Sequence, residues 1–344
     1  MKTLLVCERS AGHIFPALAL AEKLIKQQGY KKEEIYFFAT SSFLTGYIKE
    51  KGFSVVGKSL KSRNIIKEGI WRFIESFCIL FKLKPKRVIG FGGRGSFFLV
   101  LLSSFLPIDT TIYEPNVVMG KANKILSFFL KKVLRGFRQN ELDKKTKVIG
   151  IPLRKNIKKI NKGQALKVLN FKDKPVVLCL GGSQGASFIN HMFLKFVQNN
   201  RDSFQIIHLT GKKEFVEINE LYNKIENNKF IKDFYYDMEV LYSAADVVVS
   251  RAGAATLGEI SFYGLPSLLL PYPKAGGHQR ENAFYLESRE AACVCLQNDF
   301  SFEKFSQTLQ KLICDASLRQ KITNNLNKIK LGVGFEDFCS SGCI

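Results

Sequence analysis

Hydrophobic residues along the chain alternate between short continuous runs and longer stretches with helical spacing. Val, Ile and Leu dominate the short runs, which is typical of strands buried on both faces of a sheet. In the longer stretches, such as residues 16–28, apolar positions recur every three or four residues and predict amphipathic helices. The predicted strands are residues 3–7, 34–39, 86–91 and 110–113 in the first half and 176–180, 204–209, 246–250 and 267–270 in the second.

This alternation predicts the fold class. Strands that alternate with helices form parallel sheets covered on both faces, so we expect an α/β protein with two doubly wound, Rossmann-like domains that face a cleft. The first domain is expected over residues 1–150 and the second over 151–344, with the last helix as a candidate to pack back on the first domain. The hinge is expected in the basic segment 147–160. Motifs directly after strands carry most weight, because such folds bind ligands there.

Composition adds a large positive charge. The 344 residues include 52 Lys and Arg against 30 Asp and Glu, a formal net charge of +22. This indicates an anionic partner, namely nucleic acid, anionic lipid or a phosphorylated substrate, although a lysine-rich proteome explains the excess equally well. The cysteines form no CxxC pair or zinc spacing, and Cys7 and Cys179 fall in predicted strands, so a reducing cytoplasm fits best. No signal-peptide pattern and no apolar run long enough to span a bilayer is expected.

Two glycine-rich turns follow predicted strands of the second half. Residues 181–185 read GGSQG and residues 252–256 read AGAAT, and each leads into a predicted helix. Glycine lets backbone N–H groups approach a ligand closely, and a helix N-terminus attracts negative charge. Neither turn is a Walker loop or a dinucleotide fingerprint. The turns therefore predict a phosphate site, with ordinary capped strand-to-helix turns as the alternative.

Polar side chains follow these turns. Glu259 lies about one helical turn into the second predicted helix, where a carboxylate can accept hydrogen bonds from the two hydroxyls of a ribose. The alternative is a capping glutamate that balances the helix dipole. In the segment HQRENA, His278, Gln279 and Asn282 place imidazole and amide groups on or beside one helical face. Such groups suit sugar hydroxyls, and a solvated helix start explains them nearly as well.

The loops of the first half offer a candidate base. The first strand ends in a turn at residues 10–13, and Pro16 is predicted at the first helical position. His13 would then lie just ahead of a helix N-terminus, whose positive end keeps the imidazole neutral and available as a base near pH 7. A solvent-facing turn histidine is the alternative. The segments 91–97, with Arg94, and 114–116 are expected at the same edge.

Together these segments resemble, in order, the motifs of the MurG family, the glycosyltransferases of peptidoglycan synthesis. The matching segments are SAGHIFPALA (10–19), GFGGRGS (90–96), YEPN (113–116), IPLR (151–154), GGSQGAS (181–187), GAATLGE (253–259) and HQRENA (278–283). The resemblance implies the glycosyltransferase-B fold and a hexosyltransferase. Its reaction is inverting transfer of N-acetylglucosamine from UDP-N-acetylglucosamine to the 4-hydroxyl of lipid I, the undecaprenyl-pyrophosphoryl-linked N-acetylmuramoyl-pentapeptide, at the cytoplasmic face of the membrane. Nucleic acid is not an expected partner.

The resemblance also assigns roles to single residues. His13 and Glu114 are the candidate catalytic residues. The expected donor-binding residues are Ser10, Gly12, Asn116, Arg154, Ser183, Gln184, Ala254, Thr256, Glu259, His278, Gln279 and Asn282. No D-x-D motif occurs, so helix N-termini and Arg154 are expected to stabilise the leaving diphosphate without a metal or other cofactor. The chain departs from the family at Glu8, Arg9 and Ala11, which stand where the family has glycines.

Residues 65–87, in which apolar positions recur at helical spacing, predict a membrane-docking surface. Its apolar stripe is Ile66, Ile70, Phe73, Ile74, Phe77, Leu80 and Phe81, widened by Trp71, Ile79 and Leu83, while Glu68, Arg72, Glu75 and Ser76 occupy the other side. We expect the inner part of the stripe to pack on the first domain's sheet. The wide remainder is followed by Lys82, Lys84, Lys86 and Arg87, which suits an anionic lipid surface. Family members also dock through this region.

Three alternatives to the lipid I reaction stay open at this point. Another UDP-sugar glycosyltransferase of the same fold, acting on a lipid such as diacylglycerol, would keep the membrane surface. A UDP-N-acetylglucosamine 2-epimerase has the same architecture and needs no membrane. A catalytically inactive scaffold that only binds donor or membrane would explain the departures in the first loop.

Overall fold

The computed structural model describes residues 1–7, 11–40, 42–58, 65–93, 95–139, 143–182, 185–200, 203–274, 276–334 and 337–338, with the backbone alone for residues 11, 12, 42–44 and 65. The chain divides into two compact units. The first contains residues 1–154 and the C-terminal segment from Val333, and the second contains residues 155–332. The boundary predicted after residue 150 lies close to this division.

The first unit is built on a seven-stranded sheet. In chain order its elements are β1 (Thr3–Val6), α1 (Ala11–Gln28), β2 (Ile35–Phe38), α2 (Ser42–Glu50), β3 (Ser54–Val56), α3 (Ile65–Leu83), β4 (Arg87–Gly90), α4 (Phe97–Ser104), β5 (Asp109–Glu114), α5 (Lys121–Phe129), β6 (Lys132–Arg135), β7 (Thr146–Val148) and β8 (Ile151–Pro152).

The strands of this sheet follow the order β3-β2-β1-β4-β5-β6-β7, and every pairing is parallel. The order reverses between β1 and β4, so the loops after these two strands border a crevice at the carboxyl edge. Alternate residues of each strand enter different cores: Leu5 packs with Leu20 of α1, whereas Leu4 packs with Leu99 of α4. Helices therefore cover both faces, as the continuous hydrophobic runs predict.

The second unit repeats this architecture. Its elements are α6 (Lys162–Val168), β9 (Val176–Leu180), α7 (Ser187–Asn199), β10 (Gln205–Leu209), α8 (Phe215–Tyr222), β11 (Lys229–Lys232), α9 (Met238–Ala244), β12 (Val247–Ser250), α10 (Ala254–Tyr263), β13 (Ser267–Leu269), α11 (His278–Glu287), β14 (Cys293–Val294), α12 (Phe302–Cys314) and α13 (Ala316–Ile329).

Its six strands follow the order β11-β10-β9-β12-β13-β14, again all parallel. Here the order reverses between β9 and β12, which are the strands that precede the two glycine-rich turns. The prediction of two Rossmann-like α/β domains is confirmed. Cys7 and Cys179 are buried in β-strands or at their ends, and burial raises the pKa of both thiols, so both behave as small apolar side chains.

The C-terminal segment returns from the second unit to the first. Its strand β15 (Gly332–Val333) pairs with β8 in a two-stranded sheet. A Cβ atom on Gly332 would lie only 2.0 Å from the carbonyl oxygen of Gly258, so this crossing of α10 requires glycine. Beyond it, Phe338 is buried in the same core of the first unit as α1.

The start of α1 differs from the sequence prediction. The helix begins at Ala11, so Pro16 lies inside it and not at its first position. Proline lacks the N–H group that would bond to the carbonyl of residue 12, which costs one hydrogen bond near the helix start. The buried residues Ile14, Ala17 and Leu20 hold the helix against the core despite this loss. His13 accordingly lies in the first turn of α1 and not ahead of it.

Candidate active site

His13 lies at the crevice between β1 and β4. A Cβ atom built on Gly92, in the loop after β4, would be 3.5 Å from His13 Nε2 and 3.5 Å from Asn123 Nδ2. Gly92 has φ +95°, a conformation that other residues rarely adopt. The glycine therefore lets the loop after β4 lie directly against the imidazole and against the first turn of α5.

Glu114, the last residue of β5, organises the turn that follows it. Its Oε1 accepts hydrogen bonds from the backbone N–H and the side-chain amide of Asn116, at 3.1 and 3.0 Å. Its Oε2 accepts from the Gly120 N–H and from Asn123 Nδ2, both at 3.0 Å. The carboxylate is only 3% exposed. Because four N–H groups already bind its two oxygens, the geometry suits a positioning role better than that of a catalytic base.

Two residues of this cluster escaped the sequence analysis. Asn123 connects Glu114 to the Gly92 loop, and its position in the first turn of the helix after β5 was the available signal. Arg135 pairs in register with Glu114 on the neighbouring strand and donates to the carbonyl oxygens of Asn116, at 3.4 Å, and of Val117. Burial lowers the pKa of Arg135, and the nearby charge of Glu114 offsets only part of this change. The turn after β5 is thus held from both sides.

Arg154 ends the first unit. Its guanidinium lies over the ring of Phe15 on α1, 5.6 Å from the ring centre. Phe15 in turn packs edge-on against Tyr47, with ring centres 6.2 Å apart. A cation over an aromatic face is held without losing its charge, so Arg154 keeps a full positive charge near the start of α1.

In the second unit, the turn between β9 and α7 is closely packed. A Cβ atom on Gly181 would lie 2.4 Å from the Ala186 nitrogen, and one on Gly185 would lie 2.4 Å from the Thr210 carbonyl oxygen. Gly182 and Gly185 have φ of +82° and +76°, and the Gly185 N–H bonds to the Gly182 carbonyl at 3.0 Å. These contacts require glycine and bring the turn to the N-terminus of α7, which favours an anion.

The turn between β12 and α10 lies beside it in the sheet order. Gly253 caps α10, and Ala254 and Thr256 lie in the first turn of the helix. Glu259 is 8% exposed, and its Oε2 accepts a hydrogen bond of 2.7 Å from the hydroxyl of Tyr242. Glu259 is the sixth residue of α10, beyond the first turn, so the alternative of a capping glutamate is wrong. The tyrosine fixes the carboxylate in the helix, which satisfies one requirement for binding a diol.

The helix α11 supports this turn. Asn282 is fully buried and its amide donates to the carbonyl of Ala252 at 3.2 Å. Gln279 Oε1 accepts from the backbone N–H of Tyr272 at 2.9 Å. His278 begins α11, and its Nδ1 is buried with no hydrogen-bond partner in the described part of the chain. Asn282 and Gln279 thus hold neighbouring loops in place, and His278 is the member of the motif with an uncommitted polar atom.

Arg251, directly after β12, was not singled out from the sequence. Its Nη1 donates to the Leu270 carbonyl and to Gln297 Oε1, both at 2.9 Å, and its guanidinium lies 5.3 Å from the ring centre of Tyr272. Burial lowers its pKa. The signal was its position: a cation between a strand end and a glycine turn lies at the ligand edge of a parallel sheet.

The helix α3 presents its apolar side outward. Ile66, Ile70, Phe73, Ile74, Phe77 and Phe81 are between 46 and 73% exposed, whereas Arg72 and Ser76 are buried. Within the predicted stripe, only Leu80 packs in the core beneath the helix, as expected for the inner part. Leu83, which lies beside the stripe, also packs there. On the polar side of the helix, Arg72, Glu75 and Ser76 face the protein.

Buried polar contacts explain this orientation. Arg72 Nη1 donates to Glu75 Oε2 at 2.6 Å and to the Lys58 carbonyl at 3.0 Å, and the Lys58 N–H donates to Glu75 Oε1 at 2.7 Å. The Arg72 guanidinium also lies near the rings of Phe38 and Trp71. Removing one partner of such a buried pair typically costs about 3–5 kcal/mol, so α3 is firmly held with its apolar side outward.

The exposed apolar surface continues beyond α3. Helix α4 packs against both α3 and α5. Five residues at the end of α4 and on α5 are 47 to 75% exposed: Phe105, Leu106, Ile125, Phe128 and Phe129. Soluble monomers rarely expose so many large apolar side chains on adjoining elements without an interaction partner. We call the exposed residues of α3, α4 and α5 the apolar face.

Five residues singled out from the sequence lie outside the described residues in whole or in part. Ser10, Ser183 and Gln184 are not described, and neither is Arg94. Gly12 is described by its backbone alone, in the first turn of α1. Within the described ranges, no cluster of His, Cys, Asp and Glu has the arrangement of a metal site, and no helix is long and apolar enough to cross a bilayer.

Comparison with known proteins covers nearly the whole chain. Residues 9–135 match the N-terminal domain of glycosyltransferase family 28, and residues 176–333 match its C-terminal domain. A protein of Thermoanaerobacter sp. is 32% identical over 96% of this chain and 95% of its own length. One of Thermodesulfovibrio yellowstonii is 35% identical over 91% of this chain and 90% of its own. Both are named UDP-N-acetylglucosamine–N-acetylmuramyl-(pentapeptide) pyrophosphoryl-undecaprenol N-acetylglucosamine transferase.

Solved structures agree with these relatives. The crystal structure of Acinetobacter baumannii MurG superposes with a TM-score of 0.78 at 26% identity, over 98% of this chain and 97% of that one. The glycosyltransferase of kitacinnamycin has a TM-score of 0.71 at 13% identity over 98% of this chain and 97% of its own, which is a likeness of fold alone.

Proposed function

The chain belongs to glycosyltransferase family 28, and from this membership we propose that it transfers N-acetylglucosamine from UDP-N-acetylglucosamine to lipid I. The resemblance to the MurG family is confirmed by relatives that match over more than nine-tenths of both chains. The single observation that carries the proposal is this match across both units, because it includes the donor turns, the loops after β1 and β5, and everything between them. The protein is thus a UDP-N-acetylglucosamine-dependent hexosyltransferase.

The second unit binds the donor in this proposal. The turns before α7 and α10 direct two helix N-termini to one edge of the sheet, and their partial positive charges stabilise a diphosphate. Ser183 and Gln184 contact the diphosphate from the first turn, and Ala254 and Thr256 lie beside it in the second. Arg251 adds a full charge at the same edge. The held carboxylate of Glu259 supports its role as the acceptor for the ribose hydroxyls.

The sugar of the donor is bound by the start of α11. His278 and Gln279 contact its hydroxyls, and the buried Nδ1 of His278 is the polar atom that favours this assignment. Asn282 acts through the Ala252 carbonyl and not by touching the sugar, because it is fully buried. Arg154 is the proposed cation that stabilises the charge of the leaving diphosphate.

The first unit binds the acceptor and carries the base. In the reaction, His13 removes the proton of the acceptor 4-hydroxyl, and that oxygen forms a bond to the anomeric carbon of N-acetylglucosamine. The bond from this carbon to the diphosphate oxygen breaks, its electron pair leaves with UDP, and attack opposite the leaving group inverts the anomeric centre. Glu114, Asn116 and Asn123 position the loop around His13, with Ser10 and Gly12 beside it in the chain.

The apolar face is the membrane contact in this proposal. Its six exposed residues on α3 insert among lipid tails, while Lys82, Lys84 and Lys86 reach anionic headgroups, each worth about 1 kcal/mol near the surface. Arg87, which the sequence grouped with these lysines, instead lies in β4 and pairs with Asp109 at 3.0 Å. The acceptor carries an undecaprenyl chain that stays in the bilayer. In this proposal the enzyme reaches it by placing the apolar face on the membrane surface. Peripheral binding at the cytoplasmic face, where UDP-sugars are present, follows.

A transfer assay tests the proposal. Radiolabelled UDP-N-acetylglucosamine is incubated with the protein and, in separate reactions, with lipid I and with diacylglycerol. We expect label in a lipid product with lipid I alone, and the β anomer in that product from NMR of the new linkage. Label on diacylglycerol alone, or epimerised donor without transfer, would replace lipid I with one of the alternative activities. Donor left unchanged with both lipids would leave only a binding scaffold.

A further inference from the structure

A fully buried histidine in the second unit is not used by the reaction. His208 lies in β10, and both of its ring nitrogens are engaged: Nδ1 lies 3.0 Å from the Tyr222 hydroxyl and Nε2 lies 3.1 Å from Asn190 Oδ1. The rings of Phe193 and Tyr222 pack edge-on against the imidazole, at 5.3 and 5.7 Å between centres. A polar chain therefore runs through the core from α8 to α7.

The direction of these hydrogen bonds can be derived. Asn190 Nδ2 lies 2.9 Å from the Thr210 carbonyl and 2.8 Å from Glu214 Oε2, and both atoms only accept. The amide nitrogen must face them, so Oδ1 faces His208 and accepts from it. Burial lowers the pKa of His208 to about 3, which keeps the ring neutral with one N–H. That hydrogen is on Nε2, and Nδ1 accepts from the Tyr222 hydroxyl.

The far end of the chain reaches the glycine turn before α7. A Cβ atom built on Gly185 would lie 2.4 Å from the Thr210 carbonyl oxygen, which is the atom that Asn190 binds. Asn190 is also tied to the turn by its own backbone, since its N–H bonds to the Ala186 carbonyl at 2.9 Å. One residue thus binds both places: its side-chain amide holds the Thr210 carbonyl against which Gly185 packs, and its backbone N–H holds the Ala186 carbonyl at the end of the turn.

We propose that His208 is a positioning residue for the donor diphosphate, acting through Asn190 on the turn that ends at Gly185. The inference rests on the proposed function of that turn. A neutral histidine with its hydrogen on Nε2 admits one orientation of the Asn190 amide. That orientation fixes the Thr210 carbonyl, and with it the backbone N–H groups that the turn presents to the phosphates. Rotation of the Asn190 amide would turn its oxygen towards the acceptors of Thr210 and Glu214 and break both hydrogen bonds.

The test compares two substitutions at one position. In His208→Gln, the amide nitrogen can replace Nε2 as donor to Asn190, whereas His208→Phe fills the space with no donor. We expect UDP affinity, measured by calorimetry, and 1/KM for UDP-N-acetylglucosamine to fall about tenfold in the Phe variant. The Gln variant should recover most of both, and kcat should change less than KM in each. Equal UDP affinity of the Phe variant and the wild type would overturn the inference.

Two further variants separate positioning from stability. Phe196→Leu disturbs the same helix at a buried ring that packs on Phe204 and Phe305, and it should lower the melting temperature while leaving UDP affinity unchanged. If it weakens UDP binding as much as His208→Phe does, His208 is merely structural. Should His208→Phe not fold, Tyr222→Phe removes the donor to Nδ1 and is expected to weaken UDP binding about threefold, with unchanged affinity counting against the role. A wild type that neither binds UDP nor transfers sugar would remove the proposed function itself.

Discussion

Several polar side chains at the carboxyl edges of the two sheets form hydrogen bonds with backbone groups of neighbouring loops. Glu114 holds the turn at Asn116, Gln279 holds Tyr272, and Asn282 holds Ala252. Each had been expected to touch substrate or take part in the reaction. Sequence patterns identify where such residues cluster but not which way each one points, because the direction depends on the backbone groups that folding leaves without partners. Substitutions of Glu114 and Asn282 are therefore expected to act through loop geometry, whereas a substitution of Gln279 would also remove its proposed contact with the donor sugar.

Glu259 is the residue for which direct contact with the donor is most testable. If its carboxylate accepts both ribose hydroxyls, Glu259→Ala should weaken UDP binding by about 2–3 kcal/mol, the range for hydrogen bonds to a charged group. Calorimetry with UDP measures the change. Glu217→Ala, at an exposed carboxylate of the same unit, is the matched control and should bind as the wild type does. Unchanged affinity in a folded Glu259→Ala protein would reduce the carboxylate to a structural partner of Tyr242.

His13 and Glu114 are separated by a second residue-scale experiment. As the base, His13 replaced by Ala should reduce kcat by about 10²–10⁴ with little change in UDP affinity. Glu114→Gln keeps one oxygen acceptor but replaces the other with an NH2 donor, so it cannot accept all four N–H bonds. It should therefore raise the KM for lipid I and lower thermal stability. Turnover with both substrates saturating and a melting curve distinguish them. Near-full kcat in His13→Ala together with a lost kcat in Glu114→Gln would exchange the two roles.

Among the elements, α3 has the clearest consequence for function. Phe77 and Phe81 stack on the exposed side with ring centres 6.4 Å apart. A variant with Phe77→Ser, Phe81→Ser and Lys84→Glu should lose co-sedimentation with vesicles that contain anionic lipid, and wild-type binding should weaken as salt is raised. The control is Val168→Ser with Val216→Ser, which removes apolar side chains of similar exposure from the second unit. Equal loss in both, or none in either, would place the contact elsewhere.

The sequence predicted α3 as an amphipathic helix but gave its orientation only in part. Periodicity shows that one side is apolar, and burial of that side is the usual outcome. The buried Arg72–Glu75 pair reverses the usual outcome here, and no spacing rule reveals such a pair in advance. The short strands β3, β6, β11 and β14 were missed for a related reason, since two to four residues carry too little periodicity to identify an element.

At the scale of the whole molecule, the sequence predicted more. The Val- and Ile-rich runs at β1, β4, β9 and β12 were located to within a residue or two, and their alternation with helices was enough for two Rossmann-like units. The reversal of strand order in each unit then follows from the fold. It brings together the loops after β1 and β4 in the first unit and the turns after β9 and β12 in the second. Asn123 and Arg251 were missed because their importance comes from neighbours far away in the chain, which only the folded structure brings together.

The return of the C-terminal segment has a consequence for the order in which the protein matures on the ribosome. The second unit is continuous, so it has its whole core once residue 332 has been made. The first unit starts earlier, yet Phe338 belongs to its core beside α1. The unit that emerges first is thus completed last, and until then a gap in its core remains open. A nascent chain therefore exposes this apolar gap, together with the apolar face, to chaperones from the synthesis of residue 154 until that of residue 338.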